Sequence, residues 1–255
     1  MRTFPVIGLP VAATDYAGAV EWILEKAALK DRAYAVEAAN THVAALSRSD
    51  VEFGNNIRLF DLITPDGMPL VWSVNAQLPP KDRLKDRVYG PTLMLKCFEA
   101  TDKVSSPHSH FLLGGREQTL AELTSRFSED FPKAKIAGSY SPPFGTWPEE
   151  ETENIIEKIR DSGADHVWVG LGCPKQEHWI ATNKHRLPPA VYFGIGAAFA
   201  FHAGEVRQAP ATIQKFGLEW AYRLAMEPRR LFKRYFVYNT LFIFHTLRDH
   251  ALAEN

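Results

Sequence analysis

Three groups of residues have the type and spacing to do chemistry. Asp66 stands in Thr-Pro-Asp-Gly, where a short apolar run gives way to a helical stretch. A carboxylate there can accept a proton from an attacking hydroxyl, the work of a general base. It can equally be a helix N-cap, and position alone does not separate the two. The second group is Gly170-Leu171-Gly172-Cys173-Pro174-Lys175-Gln176-Glu177. Two glycines lead into a helix whose expected first position is Pro174. The free N–H groups and positive end of such a helix can hold a phosphate, and Lys175 and Gln176 add donors in the same turn. The spacing is not that of a P-loop, and no Gly-x-Gly-x-x-Gly follows a first strand. The third group is Arg223 with Arg229, Arg230, Lys233 and Arg234. Arginines bind phosphate bidentately. Here they neighbour Phe232, Tyr235, Phe236, Phe242, Ile243 and Phe244, a mixture suited to an anionic membrane surface. A helix packed on the core is the alternative.

Metal chemistry finds little support in the residues. There is no Asp-x-Asp, and His108 and His110 have no evident third ligand, so neither a metal nor a cofactor is expected. The chain has two cysteines, Cys97 and Cys173, at no metal or redox spacing, which fits a reduced, cytoplasmic compartment. No histidine adjoins Cys173 in sequence, so it reads as a packing residue.

These groups need a frame, and the apolar runs supply one. Residues 110–115, 166–172 and 191–196 each end in glycine, each is separated from the next by a helical stretch, and 135–140 is a further strand candidate. Continuous apolar strands alternating with helices imply a parallel sheet covered on both faces. Glycines at successive strand ends, Gly114, Gly172 and Gly196 among them, let backbone approach a ligand beyond the carboxyl ends of the strands, or else simply make tight strand-to-helix turns. Upstream, Thr14 and Asp15 can cap a helix, 34–38 and 59–64 read as strands, and 41–58 reads as one helix. Residues 79–87 read as an exposed loop. The expected class is therefore α/β, a Rossmann-like core over 1–209, followed by a helical, basic and aromatic appendage over 210–255 that associates with membrane.

Composition bounds the function. Hydrophobic residues are 45% of 255, enough for a substantial core, and the formal charge of −1 excludes a globally basic nucleic-acid binder. The first residues lack a basic segment followed by a long apolar one, so no secretory leader is expected. The longest apolar run, 235–244, is too short to span a bilayer.

Taken together, the motifs resemble the WecG/TagA/CpsF family of glycosyltransferases (family 26). The stretches that carry the likeness are Asn40 with its following helix, ITPDGMPLVW, RVYGPTLM, FLLGG, VGLGCPKQEHWI, FGIGAAFAFHAG and LEWAYRLAMEPRRLFKRY, in family order over about residues 6–238. The resemblance implies an inverting, metal-independent transferase. It would move a sugar from a UDP-sugar to an undecaprenyl-diphosphate-linked saccharide during assembly of surface polysaccharide or wall polymer, at the inner face of the membrane. It implies that Asp66 is the base, that Gln176 belongs to the nucleotide site, and that Arg223 and Arg230 contact the diphosphate. Asn40, Thr41, Gly114, Gly172, Lys175 and Gly196 complete the expected binding set. Two positions depart from the family pattern: Ala38 stands where Thr is common, with Thr41 the neighbouring hydroxyl, and Ala200 stands where Asp is usual. Two other readings stay open here, a nucleotide-dependent oxidoreductase and a catalytically silent nucleotide-binding partner in an assembly complex. A second copy of the chain is also left open as a partner.

Overall fold

The computed structural model describes residues 1–104, 108–210, 213 and 219–253, apart from the side chains of Glu219, Arg230, Lys233, Arg234 and Ala253. A small antiparallel hairpin opens the chain, β1 (Thr3–Val6) and β2 (Leu9–Ala12). Helix α1 (Tyr16–Leu29) follows, its N-cap Asp15 accepting from Gly18 N at 2.9 Å. A six-stranded sheet then forms from β3 (Ala33–Ala39), β4 (Leu62–Pro65), β5 (Ser109–Gly114), β6 (Lys135–Tyr140), β7 (His166–Gly170) and β8 (Ala190–Gly194). Its order is β4-β3-β8-β7-β5-β6 and every pairing is parallel. This is the doubly covered sheet that the unbroken apolar runs require, since a strand buried on both faces has no polar side to alternate with.

The connections are helical: α2 (Thr41–Ser49), α3 (Val51–Ile57), α4 (Met68–Asn75), α5 (Gly90–Lys103), α6 (Glu117–Asp130), α7 (Glu149–Ser162), α8 (Lys175–Asn183) and α9 (Gly196–His202). The stretch that reads as one helix over 41–58 is two. Asp50 leaves helical geometry and its carboxylate accepts from Phe53 N at 3.0 Å, so it ends α2 and caps α3. A single 3-10 turn (Pro80–Asp82) lies in the exposed 79–87 segment. Pro174 is the N-cap of α8 rather than its first residue. Apolar side chains of α2, α3, α7 and α8 pack on one face of the sheet, and those of α1, α5, α6 and α9 on the other. Helices leave β3 and β7 toward one face and β8 toward the other, which opens a crevice at the carboxyl end of β8.

Among the described residues the C-terminal part holds α10 (Glu219–Met226) and α11 (Pro228–Ala253), separated at Glu227. Helix α11 lies along α2: Leu231 and Phe242 are buried, Thr41 Oγ1 donates to Asn239 Oδ1 at 2.7 Å, and Arg48 holds Asp249 at 2.7 and 2.9 Å. Each of those two buried side chains contributes about 1.5–3 kcal/mol of apolar burial. The appendage is thus packed on the core along one face.

At the amino end of β5 and β7 lies a stack of histidines. His110 and His166 are fully buried, with ring centroids 4.9 Å apart, and His108 stacks on His166 at 5.3 Å. Trp168 Nε1 donates to His110 Nδ1 at 3.0 Å and Thr101 Oγ1 lies 2.9 Å from Nε2, so both ring nitrogens of the neutral imidazole are used. Burial pushes His110 well below the ordinary histidine range and His166 down to about 3. The unfolded chain, titrating near about 6.5, therefore binds more protons than the folded one below that pH. The stability of the neutral stack is complete above about pH 6.5 and is lost as pH falls toward about 3. Denaturant melts between pH 7.5 and 4 should show this slope, and His166→Asn should flatten it. An unchanged slope in the variant would show that His166 does not cause it.

Candidate active site

The expected site residues line the carboxyl edge of the sheet in spatial order: Asp66 after β4, Asn40 after β3, Gly196 after β8, Gly172 after β7, Gly114 at the end of β5. Neighbouring strands lie about 4.8 Å apart, so the row from Asp66 to Gly114 spans about 19 Å. Two cavities open along it.

The first, of about 660 Å³, is lined by Asn40, Thr41, Asp66 and Arg223, with Arg87 and Tyr89 beside them. Asp66 sits in the turn that ends β4, anchored by Asp66 N donating to Ala39 O at 2.8 Å. Its Oδ1 accepts from Gly90 N at 3.0 Å, at the first turn of α5. A helix N-terminus is an electrostatically favourable place for a carboxylate. Arg87 donates to the Asp66 carbonyl at 3.4 Å and its guanidinium lies 4.3 Å from the Tyr89 ring centroid. Arg223 comes from α10, its guanidinium 5.2 Å from the Phe201 ring centroid and its buried Nε without a partner among the described residues. The far wall is apolar, built from Met68, Pro69 and Trp72 of α4 and from Trp220, Phe242, Ile243 and Leu247 of the C-terminal helices. One end of this cavity therefore carries acid and base groups, and the other is greasy and open.

Asn40 and Thr41 reach this cavity but are already engaged. Asn40 Oδ1 caps α2, accepting from His42 N and Val43 N at 3.0 and 3.3 Å, and Thr41 bonds Asn239. Arg230 lies in α11, but its side chain is outside the described residues. An unbroken helix would set Arg223 and Arg230 on one face; the break at Glu227 puts them on different helices instead.

The second cavity, of about 1070 Å³, is lined by Gly114, Gly115, Gly170, Gly196 and Lys175, and by the 141–147 loop. Gly114 has φ +101°, and a Cβ there would come within 2.7 Å of the Gly170 backbone, so only glycine allows these two strand ends to meet. Lys175 packs its ammonium 3.6 Å from the Trp147 ring centroid and donates to Gly145 O. Burial lowers its pKa. Ala200 lines this cavity too, whereas Ala38 is buried in β3.

Gln176 is buried between the turns rather than lining either cavity. Its Oε1 accepts from Gly172 N at 3.1 Å and Gly196 N at 3.0 Å, tying the β7 turn to the β8 turn. Cys173, which has no histidine beside it in sequence, lies 3.7 Å from His42 Nδ1 in space. Sequence reasoning does not single out Arg87, Tyr89, Trp72 or Trp220. All four stand in stretches that carry the family likeness, Arg87 and Tyr89 in RVYG, Trp72 at the end of ITPDGMPLVW and Trp220 in LEWAYR, a signal that could have marked them. No group of three or more His, Cys, Asp or Glu side chains that could hold a metal occurs among the described residues.

Comparison with known proteins gives a consistent picture. The model of the glycosyl transferase WecG/TagA/CpsF family matches residues 4–255. A Bacillus subtilis (strain 168) protein named N-acetylglucosaminyldiphosphoundecaprenol N-acetyl-beta-D-mannosaminyltransferase is 27% identical over 231 residues, 90% of this chain and 86% of the relative. A protein of the same name from Bacillus spizizenii (strain ATCC 23059 / NRRL B-14472 / W23) is 34% identical over 170 residues, 67% of this chain and 62% of the relative.

Proposed function

The chain belongs to the WecG/TagA/CpsF glycosyl transferase family, and from that premise we propose that it transfers a sugar from a UDP-sugar to an undecaprenyl-diphosphate-linked saccharide, with inversion and without a metal. The observation that carries this reading is that Asp66 and Arg223 line one cavity whose far wall is apolar. Asp66 takes the proton from the acceptor hydroxyl as its oxygen attacks the anomeric carbon. The new glycosidic bond forms on the face opposite the breaking bond to the diphosphate, and UDP leaves. Arg223, Arg230 and Lys175 offset the charge that develops on the diphosphate. Preorganised donors of this kind are usually the largest electrostatic contribution in such a step.

In this reading the nucleotide occupies the glycine-lined cavity and the saccharide reaches Asp66 from the other. The names of the Bacillus relatives support a GlcNAc-bearing lipid acceptor and an N-acetylmannosaminyl donor. The greasy wall formed by α4 and α11 suits the first prenyl units of the lipid. No helix among the described residues is long and apolar enough to cross a membrane. We place the protein on the cytoplasmic surface of the membrane, held by the outer face of α11.

Acceptor-dependent release of UDP tests this function, run with EDTA in excess. Release should be unchanged by the chelator, as the absence of Asp-x-Asp and of a three-ligand cluster among the described residues leads one to expect. Loss in EDTA with recovery in Mg²⁺ would overturn metal independence. Binding of UDP without release on adding acceptor would leave a silent nucleotide-binding partner.

A further inference from the structure

Glu37 is a carboxylic acid in the interior of a parallel sheet. It sits in β3 between Ile63 of β4 and Gly194 of β8, is 1% exposed, and its Oε2 has no hydrogen-bond partner among the described residues. Room for it is made by glycine: a Cβ at Gly194 would meet that oxygen at 2.5 Å. The charges that act on it are carboxylates, Glu177 from α8 and Asp66 from the turn after β4, while the flanking strands offer only Ile63 and Gly194. No cation acts on it among the described residues. Two buried carboxyls cannot both ionise at close quarters without a cation between them.

Glu177 leads onward to the site. It is fully buried, and its Oε1 accepts from Gln176 Nε2 at 2.9 Å. The same amide turns its oxygen toward Gly172 N and Gly196 N. An amide presents its oxygen one way and its N–H₂ the other, so the bond to Glu177 fixes the orientation in which Gln176 can hold both turns.

We propose that Glu37 is a positioning residue: held as a neutral acid near Glu177, it leaves Glu177 to hold Gln176 and so keeps the Gly172 and Gly196 turns in place beneath the donor. The last clause rests on the nucleotide occupying the glycine-lined cavity; the latch itself does not. Burial, with the Glu177 and Asp66 charges adding to it, raises the Glu37 carboxyl well above the usual carboxylate range. The folded chain then binds more protons than the unfolded one above about pH 4.5. Glu37 accordingly costs stability as pH rises from there, until it ionises in the folded protein. That slope is opposite in sign to the histidine stack's.

The test uses the intact chain without ligand. Glu37→Gln copies the shape of the protonated acid but has no proton to lose. Its Tm advantage over wild type should widen steadily as pH rises above about 4.5. The protection factors of the Gly172 and Gly196 amides should fall with rising pH in the wild type and stay flat in the variant. If Glu37→Gln does not fold, Glu177→Gln removes the opposing charge and should shrink the alkaline loss of Tm instead. A Tm difference independent of pH, or protection of both glycines unchanged between pH 6 and 9 in the wild type, would overturn the proposal. Adding UDP separates the two readings: if it fails to protect these amides while the pH behaviour holds, the donor assignment falls and the latch stands.

Discussion

Asp66→Asn is expected to lower kcat by about 10²–10⁴ while UDP affinity and Tm stay close to wild type. The reasoning begins with what the side chain does in the fold. Its Oδ1 accepts from Gly90 N, and the amide oxygen of asparagine can accept the same bond. The backbone bond from residue 66 to Ala39 O does not involve the side chain at all. What asparagine cannot do is take a proton, so the loss should fall on the chemical step and leave binding intact. Steady-state kinetics with the lipid-linked acceptor, beside a thermal melt, decides it. If the variant melts lower and keeps its turnover, Asp66 is a structural anchor and the base must be sought elsewhere.

The second large effect is expected at the membrane. Helix α11 has two faces. Leu231 and Phe242 are buried, and Asn239 and Asp249 bond to α2; Phe232, Phe236, Ile243 and Leu247 are each more than half exposed, the last two at the edge of the first cavity. Their spacing of four, seven and four residues sets them in one stripe. Phe232 and Phe236 stack at 5.9 Å, and Trp220 and Met226 add exposed apolar surface nearby. Burying a large apolar side chain in lipid is worth about 1.5–3 kcal/mol, so losing two should weaken vesicle binding by about 10²–10⁴. Phe232→Glu combined with Phe236→Glu should then leave the fold intact, because neither residue packs on the core or lines the first cavity, yet abolish sedimentation with anionic vesicles. Turnover of a long-chain lipid acceptor should fall far more than turnover of a short-chain one. Vesicle binding equal to wild type would show that the stripe faces something other than lipid.

Much of the fold is legible in the amino-acid sequence. The glycine-ended apolar runs specify a parallel sheet because a doubly buried strand must be apolar throughout, and the Thr-Pro-Asp-Gly and Gly-x-Pro-Lys-Gln-Glu turns sit where strand ends place them. What is not legible depends on strand neighbours. His108 and His110 are visible as a pair, but His166 joins them only because β7 lies beside β5. Glu37 reads as an ordinary strand residue until Gly194 and Glu177 are set around it. The first cavity joins α4 to helices some 150 residues later, a closure that no local pattern encodes. Gln176 reads from its position as a ligand donor, and the fold adds a different engagement, since its oxygen is occupied by two backbone N–H groups. Helix periodicity over 41–58 conceals the boundary at Asp50 because capping interrupts a helix without interrupting its apolar face.

Transfer of one sugar onto a lipid-linked saccharide, with Asp66 as base, is open to a direct test. It is the mass of the acceptor after incubation with a panel of UDP-sugars, wild type beside Asp66→Asn. With one donor the undecaprenyl-diphosphate-linked saccharide should gain a single sugar residue, in step with UDP released, and the variant should form this product at least about 100-fold more slowly. An acceptor of unchanged mass with every donor, or product formed equally fast by the variant, would contradict that mechanism.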